Sequence, residues 1–160
     1  MQILILYYSK GSNTKKLAEA IAKGVKQVDG VAVLLKTTDE VTNDDLLSSQ
    51  GIIAGSPVYF GTMSAELKKV FDETISIRKK MEGKIGAAFA TSGDLTGGKE
   101  TTIMSIMQAM LINGMIIVGD PMSAGGHYGV ACAGEPGERT TQNAAKLGIR
   151  VAELVKRLFS

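Results

Sequence analysis

Cysteine, charge of one sign and long apolar runs are all scarce in this chain, and each scarcity narrows what the protein can be. Cys132 is the only cysteine, so an internal disulfide is impossible and a reducing, intracellular setting is expected. Its neighbours Val130, Ala131 and Ala133 predict a buried strand thiol with nothing nearby to depress its pKa. Lys and Arg number 18 against 16 Asp and Glu, a formal charge of +2, far from the phosphate-neutralising surplus of a nucleic-acid binder. The one basic cluster, Ile77-Arg78-Lys79-Lys80, reads as a solvated helix end. The N-terminal apolar run is too short to span a membrane and has neither a basic flank nor a cleavage site, so a cytoplasmic chain is expected. Repeats, linkers and low-complexity segments are missing too, which predicts a single domain over residues 1–160, and no metal is called for. Neither G-x-x-x-x-G-K-[ST] nor G-x-G-x-x-G occurs, which argues against a nucleoside triphosphatase and a standard dinucleotide site.

What is present begins with Gln2-Ile3-Leu4-Ile5-Leu6-Tyr7-Tyr8, a short apolar run of the kind buried on both faces of a parallel sheet. It leads into Ser9-Lys10-Gly11-Ser12-Asn13-Thr14, after which Leu17, Ala18, Ile21, Ala22, Val25 and Val28 mark one face of a helix ending near Asp29-Gly30. A strand, a loop of small hydroxylated residues and a helix start form an anion site, because free N–H groups and the helix dipole face outward. A phosphate monoester suits it. Plain helix capping by the same residues is the alternative.

Strand and helix then alternate. Val31–Leu35 reads as a second strand, Asn43–Ser49 as a short turn or helix, and Gly51–Gly55 as a third strand opening into Ser56-Pro57-Val58-Tyr59-Phe60-Gly61-Thr62-Met63. A helix from Ser64 carries Leu67, Val70 and Phe71 inward. Lys84–Ala90 is a fourth strand, followed by Thr91-Ser92-Gly93-Asp94-Leu95-Thr96-Gly97-Gly98 and a helix to Asn113-Gly114 with Ile103, Ile106, Met107, Met110 and Leu111 facing inward. The methionines read as core filler. Met115–Val118 begins a fifth strand that resumes at Gly129–Ala133, after an insertion containing Gly125-Gly126-His127-Tyr128. A last helix, from about Thr140, buries Ala144, Leu147, Val151, Leu154, Val155 and Leu158.

This alternation predicts an α/β fold: a five-stranded parallel sheet with right-handed crossovers and helices on both faces. Ligands in such sheets bind beyond the carboxyl ends of the strands, which selects the loops at 9–14, 56–62 and 91–98.

In that order, the loops resemble a known family. Residues 9–14 are similar to the FMN phosphate loop of flavodoxin-like proteins. Ser56 to Ser64, and Thr91-Ser92-Gly93 followed by Gly97-Gly98-Lys99-Glu100, resemble the two isoalloxazine loops of WrbA-type NAD(P)H:quinone oxidoreductases. The resemblance implies a flavodoxin-like three-layer fold with strand order 2-1-3-4-5 and a noncovalent FMN. By the same resemblance Ser9, Gly11, Ser12, Asn13 and Thr14 hold the phosphate, while Pro57, Val58, Tyr59, Phe60 and Gly61 line one edge and face of the ring. Thr91, Ser92, Gly93, Thr96, Gly97 and Gly98 complete the pyrimidine side; Asp94 has two readings, a cofactor contact to ribityl or N–H groups or a solvated loop acid. It further implies two-electron transfer from NAD(P)H through FMN to a quinone-like acceptor, and a homo-oligomer, dimer or tetramer. Departures are Asn113, where the family commonly has His, and the lack of the Trp-bearing insertion around residues 74–82; this chain has no Trp.

His127, the only histidine, has two readings: an exposed loop residue, or a ring near the flavin acting as catalytic proton donor to a quinone oxygen. The competing function class is a flavodoxin, a carrier that shuttles single electrons between proteins. Such carriers are typically strongly acidic, and this chain is slightly basic.

Overall fold

The computed structural model describes residues 1–160 and follows the expected alternation. In chain order the elements are β1 (Gln2–Tyr7), α1 (Asn13–Val25), β2 (Ala32–Thr37), α2 (Asn43–Ser48), β3 (Gly51–Pro57) and α3 (Ala65–Glu73). Two 3-10 turns, Thr74–Ser76 and Arg78–Met81, lead to β4 (Ile85–Ser92) and α4 (Lys99–Leu111). Then come β5 (Ile116–Ile117), a 3-10 turn at Met122–Ala124, β6 (Val130–Ala133) and α5 (Glu138–Phe159).

All strand pairs are parallel and the order is β2-β1-β3-β4-β5, as the resemblance implied. The fifth position is shared. β5 pairs with Ile85 and Gly86 of β4, and β6 pairs with Phe89 to Ser92 on the same edge. The expected continuation of the fifth strand is therefore there, but as a separate strand after residues 118–129 swing out of the sheet.

The alternation of a strand's side chains divides the core in two. Ile3, Ile5 and Tyr7 point toward α1 and α5, where Leu17, Ile21, Leu147 and Val151 meet them. Leu4 and Leu6 point the other way, toward Leu46 of α2, Leu67 of α3 and Ile103, Ile106 and Met110 of α4. Burying a Leu or Ile in such a layer is worth about 1.5–3 kcal/mol. Five of the eight methionines, Met63, Met81, Met107, Met110 and Met115, are buried in the second layer.

Helices α1 and α5 touch backbone to backbone. A Cβ on Gly24 would lie 2.0 Å from the Ala145 carbonyl oxygen, and one on Gly148 would lie 2.2 Å from that of Ile21. Only glycine permits this approach.

Several expectations are corrected. Helix α1 ends at Val25, before Asp29-Gly30. The Arg78-Lys79-Lys80 cluster lies on its own 3-10 turn, with Arg78 Nε donating to Ile112 O at 2.9 Å, and is not the end of α3. Leu111 and Leu158, expected inside, are exposed because each sits at the end of a helix that has run past its partner layer. Cys132 is half-buried; burial pushes its thiol pKa up, and Lys99 opposes this weakly. Asn113 is buried, and its Nδ2 donates to Ala109 O at 2.7 Å, closing the end of α4.

Lys84 is a buried cation without a carboxylate. Its Nζ donates to Leu47 O at 2.8 Å and to Ser49 O, which closes the C-terminal end of α2. Burial lowers its pKa.

Candidate functional site

The three selected loops meet at the carboxyl end of the sheet around a cavity of about 240 Å³. Its walls come from Ser9, Lys10, Gly11, Asn13 and Thr14; from Pro57, Val58 and Tyr59; and from Thr91, Ser92, Gly93 and Gly134.

The first wall is an open helix start. Ser12 stands at the cap position of α1 with φ 81°, in the left-handed region, and its side chain makes no capping bond. A capping hydroxyl needs an extended backbone to reach back to the first turn. The earliest intrahelical bond is Lys16 N–H to Ser12 O at 2.9 Å, and Ser9 Oγ accepts from Lys15 N–H at 3.4 Å, so the N–H groups of Asn13 and Thr14 reach no protein acceptor. Thr14 is nonetheless buried. Unpaired buried donors are rare in folded proteins and mark a place for an outside acceptor.

The loops are cross-bonded. Thr14 Oγ1 and Thr91 Oγ1 lie 2.8 Å apart, Val58 N–H donates to Thr91 O at 2.7 Å, and Gly134 N–H donates to Ser92 O at 2.8 Å. Residues 59–62 form a tight hairpin turn in which Tyr59 and Thr62 exchange backbone bonds at 3.0 and 3.2 Å, with positive φ at Phe60 and Gly61. Thr101 Oγ1 lies 2.6 Å from Gly61 O and 2.9 Å from Gly98 O, its single hydroxyl proton shared between the two carbonyls. This clamp works because Gly98 lets the two loops meet: a Cβ there would sit 3.0 Å from Gly61 Cα. In the third loop the Asp94 carboxylate accepts from Thr96 N–H and Thr96 Oγ1, each at 3.0 Å, bonds that hold its pKa below the usual range. Asp94 thus shapes its own turn.

Charge in this cavity is one-sided. No carboxylate lines it, and Lys10 is the single cation. Lys16, one turn along α1, is drawn off by Glu135, whose pKa that contact lowers. Free backbone donors, hydroxyls and one cation suit a phosphate monoester dianion. Small loops and one aromatic wall, Tyr59, suit a flat ring beside it. Tyr59 is backed by Tyr8 at an edge-on centroid distance of 6.2 Å. These residues fit FMN.

Ten of the expected cofactor residues line the cavity: Ser9, Gly11, Asn13, Thr14, Pro57, Val58, Tyr59, Thr91, Ser92 and Gly93. Ser12, Phe60, Gly61, Asp94, Thr96, Gly97 and Gly98 stand in the surrounding loops, outside this lining. Phe60 projects wholly into solvent. Two lining residues were missed. Lys10 lay inside the quoted first loop, and Gly134 follows β6 in a Gly-Glu-Pro-Gly turn that a search for loop signals would have marked. His127 is elsewhere. It lines a neighbouring cleft, with its side chain 69% exposed and Nδ1 3.6 Å from Asp120 Oδ2.

Comparison with known proteins agrees with the fold and with FMN as the cofactor class. The family model described as "NADPH-dependent FMN reductase" matches residues 1–129. A protein named "Flavodoxin" from Aquifex aeolicus is 36% identical, covering 96% of this chain and 86% of the relative. An "NAD(P)H dehydrogenase (quinone)" from Archaeoglobus fulgidus is 34% identical, covering 98% of each. Among solved structures, an archaeal flavodoxin superposes with TM-score 0.83 at 31% identity over 98% of this chain and 99% of its own. A WrbA-like protein from Agrobacterium tumefaciens reaches TM-score 0.83 at 23% identity, covering 98% of each chain, a likeness of fold. With the open helix start, the three cross-bonded loops and a flavodoxin-like sheet order, the chain belongs to the NADPH-dependent FMN reductase family.

Proposed function

We propose that this protein is an FMN-dependent oxidoreductase that takes two electrons from NAD(P)H and passes them to a quinone or similar small acceptor. The observation that carries the reading is the cavity: a carboxylate-free anion site joined to a slot with one aromatic wall, Tyr59, so that one ring face is left for a substrate. The N–H groups of Asn13 and Thr14, with Ser9 and Ser12, hold the phosphate, and Lys10 offsets its charge. Pro57 to Gly61 and Thr91 to Gly98 hold the ring in place between two loops that Thr101 ties together. When bound, FMN supplies a carrier able to accept two electrons from a nicotinamide and release them to an acceptor. Placement and electrostatics are the protein's share.

The NAD(P)H dehydrogenase (quinone) name of one relative supports this reading. The Flavodoxin name of another keeps a one-electron carrier as the second reading. The deciding measurement is anaerobic stopped-flow absorbance of the FMN-loaded protein mixed with NADH or NADPH and then with benzoquinone. Rapid bleaching near 450 nm, about the usual flavin maximum, followed by return of colour with quinone is the expected result; no bleaching by either nicotinamide would transfer the protein to the carrier class.

His127 is proposed as proton donor to the acceptor. His127→Ala with normal flavin content and unaltered quinone turnover would remove it from the reaction. No helix is long and apolar enough to cross a membrane. The proposed setting is cytoplasmic, with the chain acting as a homo-oligomer.

A further inference from the structure

Beyond β6, where residues 118–129 leave the sheet, lies a second and larger cavity of about 900 Å³. Its walls are the start of α4, the excursion itself, β6 and the start of α5. The excursion is held in shape. Asp120, nearly fully buried, accepts from His127 N–H at 2.5 Å through Oδ1, and its carbonyl accepts from Arg150 Nη1 at 3.0 Å. Asn143 Nδ2 donates to Ala124 O at 3.1 Å and Lys146 Nζ to Ser123 O at 2.7 Å, which ties this wall to α5. A preformed cleft of this size falls in the range of small-molecule sites.

We infer that this cleft binds the adenosine diphosphate half of the nicotinamide dinucleotide, an inference that rests on the donor proposed above. Three observations point there. First, two cations line the cleft without forming an ion pair: Arg139, and Lys99, whose Nζ donates to Leu95 O at 2.5 Å and whose charge also acts on Asp94. Two acids share the lining: Asp120, buried and accepting from His127 N–H, and Glu100 in the first turn of α4, so the anion is met at Arg139 and the start of α5. Like α1, helix α5 begins without a side-chain cap, at Gly137, and Arg139 and Thr140 of its first turn face the cleft. Free N–H groups and a guanidinium are what a diphosphate needs.

Second, the rest of the lining offers an apolar floor, Ile103 and Val130, and an exposed aromatic, Tyr128, on which a purine can stack. A small quinone would use neither cation. Third, the two cavities are neighbours. Gly134 lines the flavin cavity and Ala131 the cleft, three residues apart along the chain, so about 10 Å of extended backbone separates them. An extended dinucleotide spans that distance with its nicotinamide at the flavin cavity.

The test is titration calorimetry of ADP into the FMN-loaded protein, so that the phosphate loop is already filled, with Arg139→Gln and Tyr128→Ala in parallel. Both side chains are exposed, and retained flavin absorbance verifies that each variant folds. Expected is saturable binding by the native chain, weakened about tenfold by Arg139→Gln through loss of one charge-assisted contact and less by Tyr128→Ala. No heat at millimolar ADP, or equal affinity in the native chain and both variants, overturns the inference. Failure of the reductase reading shows separately, as flavin that neither NADH nor NADPH bleaches.

Discussion

Helices α2 and α3 begin under side-chain caps and α1 does not, although all three carry Ser or Thr at the cap position. Thr42 accepts from Asp45 N–H at 3.2 Å while the Asp45 carboxylate returns to Thr42 N–H at 2.8 Å, a reciprocal box. Ser64 Oγ accepts from Leu67 N–H at 3.3 Å. The difference lies in the backbone: φ is −119° at Thr42 and −61° at Ser64, but 81° at Ser12. In the left-handed region the hydroxyl cannot reach its own helix, so the donors of α1 stay open. Residue type proposes a cap; the cap's φ decides whether a helix start is sealed or able to bind.

Gly11→Asp should break this contrast most strongly. A side chain there meets nothing within 4 Å, so the fold survives while a carboxylate enters the phosphate loop. FMN affinity by fluorescence titration should fall roughly a hundredfold. Next, a pair of variants separates the two kinds of start by sign. Thr42→Ala removes a working cap and should cost about 1 kcal/mol in urea denaturation with flavin affinity intact. Ser12→Gly relieves a left-handed residue and should leave stability equal or raise it by about 0.5 kcal/mol.

The smallest effect concerns pH and the other end of α2, which Lys84 closes. Its folded pKa lies below 10.5, so in the window beneath that value the unfolded chain holds more protons than the folded one. Stability therefore gains from this group as pH rises toward 10.5. Denaturation of the native chain and Lys84→Met at pH 8 and 10 should show that upward contribution in the native chain only.

The apolar runs of β1, β3 and β4 and the 3.6-residue stripes of α1, α4 and α5 made the sheet and both layers legible, because burial on two faces imposes those patterns. The three loops were legible for the same reason, since strand ends locate them. Leu111 and Leu158 misled because periodicity tells which way a residue faces and not where its partner layer stops. Ser12 was seen as a site residue, but its left-handed backbone is a tertiary outcome that no local pattern encodes. The pairing of His127 with Asp120, seven positions apart, depends on how the excursion folds back, and a lone histidine carries no signal of that. Nor did the composition hint that the wider cavity would open beside β6.

The glycine contact between α1 and α5 has a consequence for reading mutations. Gly24 lies eleven residues from Asn13, about 16 Å along the helix axis. Any side chain at Gly24 or Gly148 must push the two helices apart, and a rigid helix levered at one end moves at the other. The first turn of α1 would shift from its neighbours while every cavity residue kept its identity. A screen that scores flavin retention would then flag two positions that never approach the flavin, and the yellow colour of the protein would serve as a gauge of packing on the far side of the molecule.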